Sequence, residues 1–99
     1  MEVIISQENG ATIVKIAGRL DTVTAPALSE AVNPLIESGA TLILDCEKLE
    51  YVSSSGLRVI LSTHKQLAAQ GGRFAVRNLN REVRSVFDLT GFSRILTLE

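Results

Sequence analysis

Tryptophan is absent, and only four aromatic rings occur among 99 residues: Tyr51, Phe74, Phe87 and Phe92. Any core must therefore be filled by Val, Ile, Leu and Ala. A single cysteine, Cys46, excludes an internal disulfide and any cysteine-based zinc site. It follows Leu42-Ile43-Leu44 and reads as a small buried hydrophobe rather than a reactive thiol. No apolar run approaches the roughly 20 residues that cross a bilayer, and the chain does not open on a charged-then-apolar-then-small secretory pattern. The expectation is a cytoplasmic protein without direct membrane insertion. Neither sign of charge prevails, with 10 basic and 11 acidic side chains. Residues 1–50 nevertheless carry −5 and residues 51–99 carry +4. That asymmetry is too mild and scattered for direct nucleic-acid binding; it either orients a protein partner or marks two differently solvated faces.

Apolar residues make up 45% of the chain, enough for one well-packed domain spanning residues 1–99. Val3-Ile4-Ile5 and Thr12-Ile13-Val14-Lys15-Ile16 flank Glu8-Asn9-Gly10, and Asn-Gly between two β-rich runs predicts an N-terminal hairpin. Leu28, Ala31, Val32, Leu35 and Ile36 trace a helical stripe, with Thr24 as cap and Pro26 in the first turn. Pro34 should kink or end that helix early, and Gly39 should close it. Thr41-Leu42-Ile43-Leu44-Asp45 suits a strand buried on both faces. A second stripe runs through Leu57, Ile60, Leu61, His64, Leu67 and Ala68 and stops at Gly71-Gly72. Arg73–Arg77 alternates like a strand. Asn80 should cap a third helix with Val83, Val86 and Phe87 inward; Gly91 should stop it and Phe92 fold back on Phe87. Ile95–Leu98 would form a last edge strand. The order β-β-α-β-α-β-α-β predicts an α/β fold: a mixed four- to five-stranded sheet with about three helices packed against it.

Chemistry concentrates in Tyr51-Val52-Ser53-Ser54-Ser55-Gly56-Leu57-Arg58, which joins the buried strand to the second helix. In open α/β sheets functional groups gather at the carboxyl ends of strands, where helix N-termini favour anions. A phosphate on Ser53, Ser54 or Ser55 would be tolerated there and would change the surface shown to a partner. Arg58, four residues beyond Ser54, is within reach of a phosphoserine. The plainer alternative is that the serines cap the helix and Gly56 eases the turn. Catalysis finds little support. His64 lies ten residues beyond Ser54 on the same helix, roughly 15 Å away at the rise of an α-helix. No nucleophile elbow, His/Cys metal spacing or glycine-rich phosphate loop is present. Neither an enzyme nor a metal or cofactor is expected.

Three stretches give the chain a family resemblance. Gly18-Arg19-Leu20-Asp21, followed by Thr24-Ala25-Pro26, resembles the Gly-x-Leu-Asp stretch of STAS domains, and Leu42-Ile43-Leu44-Asp45 resembles their apolar strand ending in Asp. Tyr51 through Leu61 is similar to the phosphorylation segment of the anti-sigma factor antagonists (anti-anti-sigma factors), with Ser53 where many members carry Asp. The resemblance implies a single bacterial STAS domain without enzymatic activity. Its unmodified form would bind an anti-sigma factor that is also a serine kinase, freeing a sigma factor to act in transcription regulation. Phosphorylation of Ser54, with Ser55 and Ser53 as alternatives, would release it, and a serine phosphatase would reset the switch. Asp21, Ser53, Ser54, Ser55, Gly56 and Arg58 would form the partner surface. Asp21 has another reading, as an Asp bonding the turn before the first helix. The alternative function is a non-switching STAS module serving a transport complex or a signalling scaffold.

Overall fold

The computed structural model describes residues 1–99. Asn9 and Gly10 take positive φ of 52° and 83°, closing a two-residue turn between β1 (Glu2–Glu8) and β2 (Ala11–Leu20). Both turn positions require the left-handed region, which Asn tolerates and Gly adopts freely. There follow α1 (Ala25–Val32), a single 3₁₀ turn (Asn33–Leu35), β3 (Thr41–Val52), α2 (Ser54–Ala69) and β4 (Arg73–Arg77). The chain ends with α3 (Arg81–Leu89), a one-turn α4 (Phe92–Ile95) and β5 (Thr97–Leu98). The sheet order is β1-β2-β3-β4-β5; the first pair is antiparallel and the rest are parallel. This is the mixed sheet with an N-terminal hairpin expected from the sequence, with five strands, three helices of several turns and one short one.

Several local expectations need correction. Pro34 ends α1 at Val32 and tightens the next residues into 3₁₀ geometry, so Leu35 and Ile36 leave the helix. Thr24 stands at the N-cap position of α1, but its side chain makes no cap bond. β3 runs seven residues past Asp45, so Tyr51 and Val52 belong to the strand. Its second half escapes simple alternation because the pairing with β2 slips twice, between Lys15 and Ala17 and between Gly18 and Arg19. On α2 the buried positions are Gly56, Leu57, Ile60, Thr63 and Leu67; Ala68 faces out. Thr63 is satisfied by donating to the Val59 carbonyl (2.9 Å). The last strand is only Thr97–Leu98, because Ile95 completes α4 behind Gly91, whose φ is 83°. Asn80 does cap α3, accepting from the Val83 N–H at 2.8 Å, and Phe92 meets Phe87 edge-on at 6.4 Å.

Register places Val14, Leu44 and Val76 side by side on one face. They share a single cluster with Leu28 and Val32 of α1, Leu57, Ile60 and Leu67 of α2, and Val83 and Phe87 of α3. At about 1.5–3 kcal/mol per fully buried aliphatic side chain, this cluster is the main stabilising element. Cys46 is part of it, and burial first, then the Asp45 charge, pushes its thiol up to about 12. The opposite face is held by a polar clasp. Asp45, only 4% exposed, accepts from Arg77 Nε (3.2 Å), Asn78 Nδ2 (3.0 Å) and the Glu47 N–H (3.1 Å). Arg77 also reaches Glu8 of the hairpin at 3.6 Å. Burial alone would raise the Asp45 pKa; the bonds from Asn78, Glu47 and Arg77 outweigh it and hold it below the ordinary value.

Candidate functional site

The carboxyl ends of β2 and β3 lie side by side, with Leu20 paired to Val52 and Arg19 to Tyr51. Here the β2–α1 loop meets the start of α2. The Ser53 N–H donates to the Leu20 carbonyl (2.9 Å), tying the approach of α2 to β2. Ser53 is the N-cap, and its hydroxyl accepts from the Gly56 N–H at 3.3 Å. Gly56 itself is buried. A Cβ there would stand 2.6 Å from Leu20 Cγ and 3.0 Å from the Leu20 carbonyl oxygen, so glycine permits the close approach of α2 to β2 and presents no side chain to a partner.

The three serines therefore have three different situations. Ser53 is committed to the cap. Ser55 is half-buried and shares a hydrogen bond with Thr22 at 3.2 Å. Ser54 opens α2, is exposed, and its hydroxyl has no partner within the protein. Arg58, one turn further along α2, is exposed and unpaired with any carboxylate, which leaves its guanidinium available to an anion. A groove of about 440 Å³ runs from this point between α1 and α2, lined among others by Thr22, Ser29, Ser55, Arg58, Ser62 and Gln66.

Asp21 shapes the neighbouring loop. One carboxylate oxygen accepts from the Val23 N–H (3.0 Å) and the Thr24 N–H (3.1 Å). The Thr24 hydroxyl donates to the Arg19 carbonyl (2.7 Å) and accepts from the Asp21 N–H (2.9 Å). These bonds, led by that from the Thr24 N–H, lower the Asp21 pKa against a partial desolvation. The turn places Thr22 against Ser55 and leaves Val23 as an exposed apolar tip. Arg19 stacks on the Tyr51 ring at 4.1 Å, bracing the ends of β2 and β3. His64 stands along α2 beside Phe74, 6.5 Å between ring centres, away from the serines. Thr22 and Val23 were not singled out from the sequence, and Arg19 and Tyr51 entered it only as members of longer stretches, because the loop–helix contact and the parallel register that pairs Arg19 with Tyr51 are non-local.

The model of the STAS domain family matches residues 2–99. The chain belongs to the STAS domain family. Its relatives include anti-sigma factor antagonists. The anti-sigma-B factor antagonist of Bacillus subtilis is 35% identical over 98 residues, covering 99% of this chain and 90% of that protein. A crystal structure of an anti-sigma factor antagonist from Mycobacterium paratuberculosis superposes with a TM-score of 0.88 at 28% identity, over 98% of this chain and 83% of that one. The Bacillus cell fate determinant SpoIIAA, solved in its phosphorylated form, shares the fold with a TM-score of 0.74 at 23% identity, over 99% and 91% of the two chains. No helix of this STAS domain is long and apolar enough to cross a membrane.

Proposed function

We propose that this chain is an anti-sigma factor antagonist controlled by phosphorylation of Ser54. Unmodified, it binds an anti-sigma factor with serine kinase activity and so frees a sigma factor in the cytoplasm. That kinase transfers the γ-phosphoryl group of ATP to Ser54 and the complex dissociates; a serine phosphatase restores the free hydroxyl. In this scheme the chain is substrate and binder, not catalyst.

The observation that carries the reading is the free hydroxyl of Ser54 beside two engaged ones. Phosphorylation there breaks no native hydrogen bond and puts the new charge at the N-terminus of α2, with Arg58 one turn away. Inside a docked interface the same charge, about −2 at neutral pH, would face desolvation and repulsion amounting to several kcal/mol. The antagonist role of the relatives and the phosphorylated form of SpoIIAA point the same way. Asp21 and Ser53 take part by shaping the surface from beneath, Ser55 and Arg58 by lining it, and Gly56 by letting α2 close onto β2.

Incubation with the anti-sigma factor kinase of the same genome and ATP should add one phosphate, seen by intact mass, and Ser54→Ala should abolish it. Labelling that persists in Ser54→Ala moves the site to Ser55 or Ser53. A chain never labelled favours the non-switching STAS module, a reading kept open by Ser53 in place of the usual Asp.

A further inference from the structure

The two edges of the sheet are built differently. β5 is two residues long, which leaves little free backbone. β1 is seven residues long, and every one of them pairs with β2 without a bulge. It contains no proline and no lysine, and its centre is Val3-Ile4-Ile5, with Ile4 57% and Ile5 44% exposed. Soluble proteins ordinarily blunt such an edge with charge, proline, a bulge or a covering element. Only Glu2 and Glu8, at its two ends, serve that purpose here.

The hairpin decides which backbone groups are free. In a two-residue hairpin the pair closing the turn, here Glu8 and Ala11, exchanges both hydrogen bonds, and bonded pairs alternate from there. Glu8, Ser6, Ile4 and Glu2 thus spend their backbone groups on β2, while those of Gln7, Ile5 and Val3 point away from the sheet. We propose that this edge pairs antiparallel with β1 of a second copy of the chain, about a two-fold axis at Ile4, joining two sheets into one of ten strands. Charge selects the register. Centred on Ile5, Glu2 would lie opposite the partner's Glu8, a like-charge pair that destabilises strands. Centred on Ile4, Glu2 faces Ser6, Val3 faces Ile5, and Ile4 meets its own copy, with no carboxylates opposed. The half-buried Val3 already packs against the core, so the Val3–Ile5 contacts extend the core across the axis. The interface leaves the Ser54 end of the sheet uncovered and stands apart from the switch.

Ile4 at the axis is a non-hydrogen-bonded pair, with Cα atoms about 4.5 Å apart, inside disulfide range. Under mild oxidation Ile4→Cys should become a covalent dimer, while Ile5→Cys, placed opposite Val3, should not; buried Cys46 does not compete. In sedimentation equilibrium the apparent mass of the wild type should double as concentration rises. Ile4→Lys should stay at monomer mass and, at concentrations where the wild type is monomeric, should unfold thermally as the wild type does. Ile95→Lys, similarly exposed elsewhere, should double like the wild type. A wild type that remains monomeric throughout the series overturns the proposal. So does a doubling that survives Ile4→Lys, or cross-linking of Ile5→Cys as readily as Ile4→Cys.

Discussion

Replacing Gly56 by alanine separates local propensity from tertiary packing, because the two predict opposite signs. Gly56 is the third residue of α2, and alanine in a helix is favoured over glycine by about 1 kcal/mol, less near an end. Propensity alone would therefore make Gly56→Ala stabilising. The added methyl, however, would meet Leu20 Cγ at 2.6 Å and Leu20 Cδ2 at 2.9 Å, with the Leu20 carbonyl oxygen at 3.0 Å. Leu20 has no exposed surface into which to retreat, and its carbonyl is held by the Ser53 N–H. Overpacking of this kind costs about 1–3 kcal/mol. Set against the smaller propensity gain, the net effect should be a loss of about 1–2 kcal/mol, or about 5–15 °C in Tm for a domain of this size. Thermal and denaturant unfolding should agree on that loss. Combining Gly56→Ala with Leu20→Ala should make the penalty of the glycine substitution shrink, because the second change removes the obstructing methyls. A Gly56→Ala chain that melts at or above the wild-type temperature would refute the close-approach argument.

Other changes test other parts. Asp45→Ala should cost about 2–4 kcal/mol in denaturant unfolding, at or below the range for breaking a buried pair because Arg77 keeps some solvent contact. Its carboxyl pKa is lowered in the folded state, so its contribution is complete above the unfolded value and is lost as pH falls below about 4. Stability of Asp45→Asn should be flatter than wild type across that acid limb. Ser53→Ala should cost about 0.5–1 kcal/mol, the low end for a lost cap since the bond is long. Ser53→Asp should recover it, because a carboxylate also accepts from the helix N-terminus; equal melting of Ser53→Ala and wild type would remove Ser53 from the cap. Cys46 should react with a thiol reagent only as fast as the chain opens, so its labelling rate should rise with denaturant in step with unfolding.

What could be read from the sequence was local. Asn9-Gly10, Pro34, Asn80 and Gly91 each impose a backbone conformation regardless of what lies across the molecule, and each acts as its chemistry dictates. The apolar stripes located the helices to within a turn. β3 beyond Asp45 could not be read, because Cys46 through Val52 take their alternation from two slips against β2. Gly56 looked like a turn residue since nothing nearby in sequence reveals Leu20. Thr24 looked like a helix cap, yet its hydroxyl serves the loop that Asp21 organises. Phe92–Ile95 is a single turn, too short to display a period. At the candidate site the serine segment and Asp21 were visible as residues, whereas the Thr22–Ser55 bond and the Arg19–Tyr51 stack depend on how parallel strands align.

A group attached reversibly to a protein traces a loop, and any native bond broken on the outward path must be remade on the return. Where remaking is slow, the loop shows hysteresis, and the protein retains a record of its last modification after the group has gone. The Ser54 hydroxyl is unengaged, at the rim of a helix whose cap and packing belong to Ser53 and Gly56. A group carried there would break no native bond on arrival and leave none to remake on departure. If Ser54 is the modified residue, as proposed above, the cycle should show no hysteresis from rebuilding the fold.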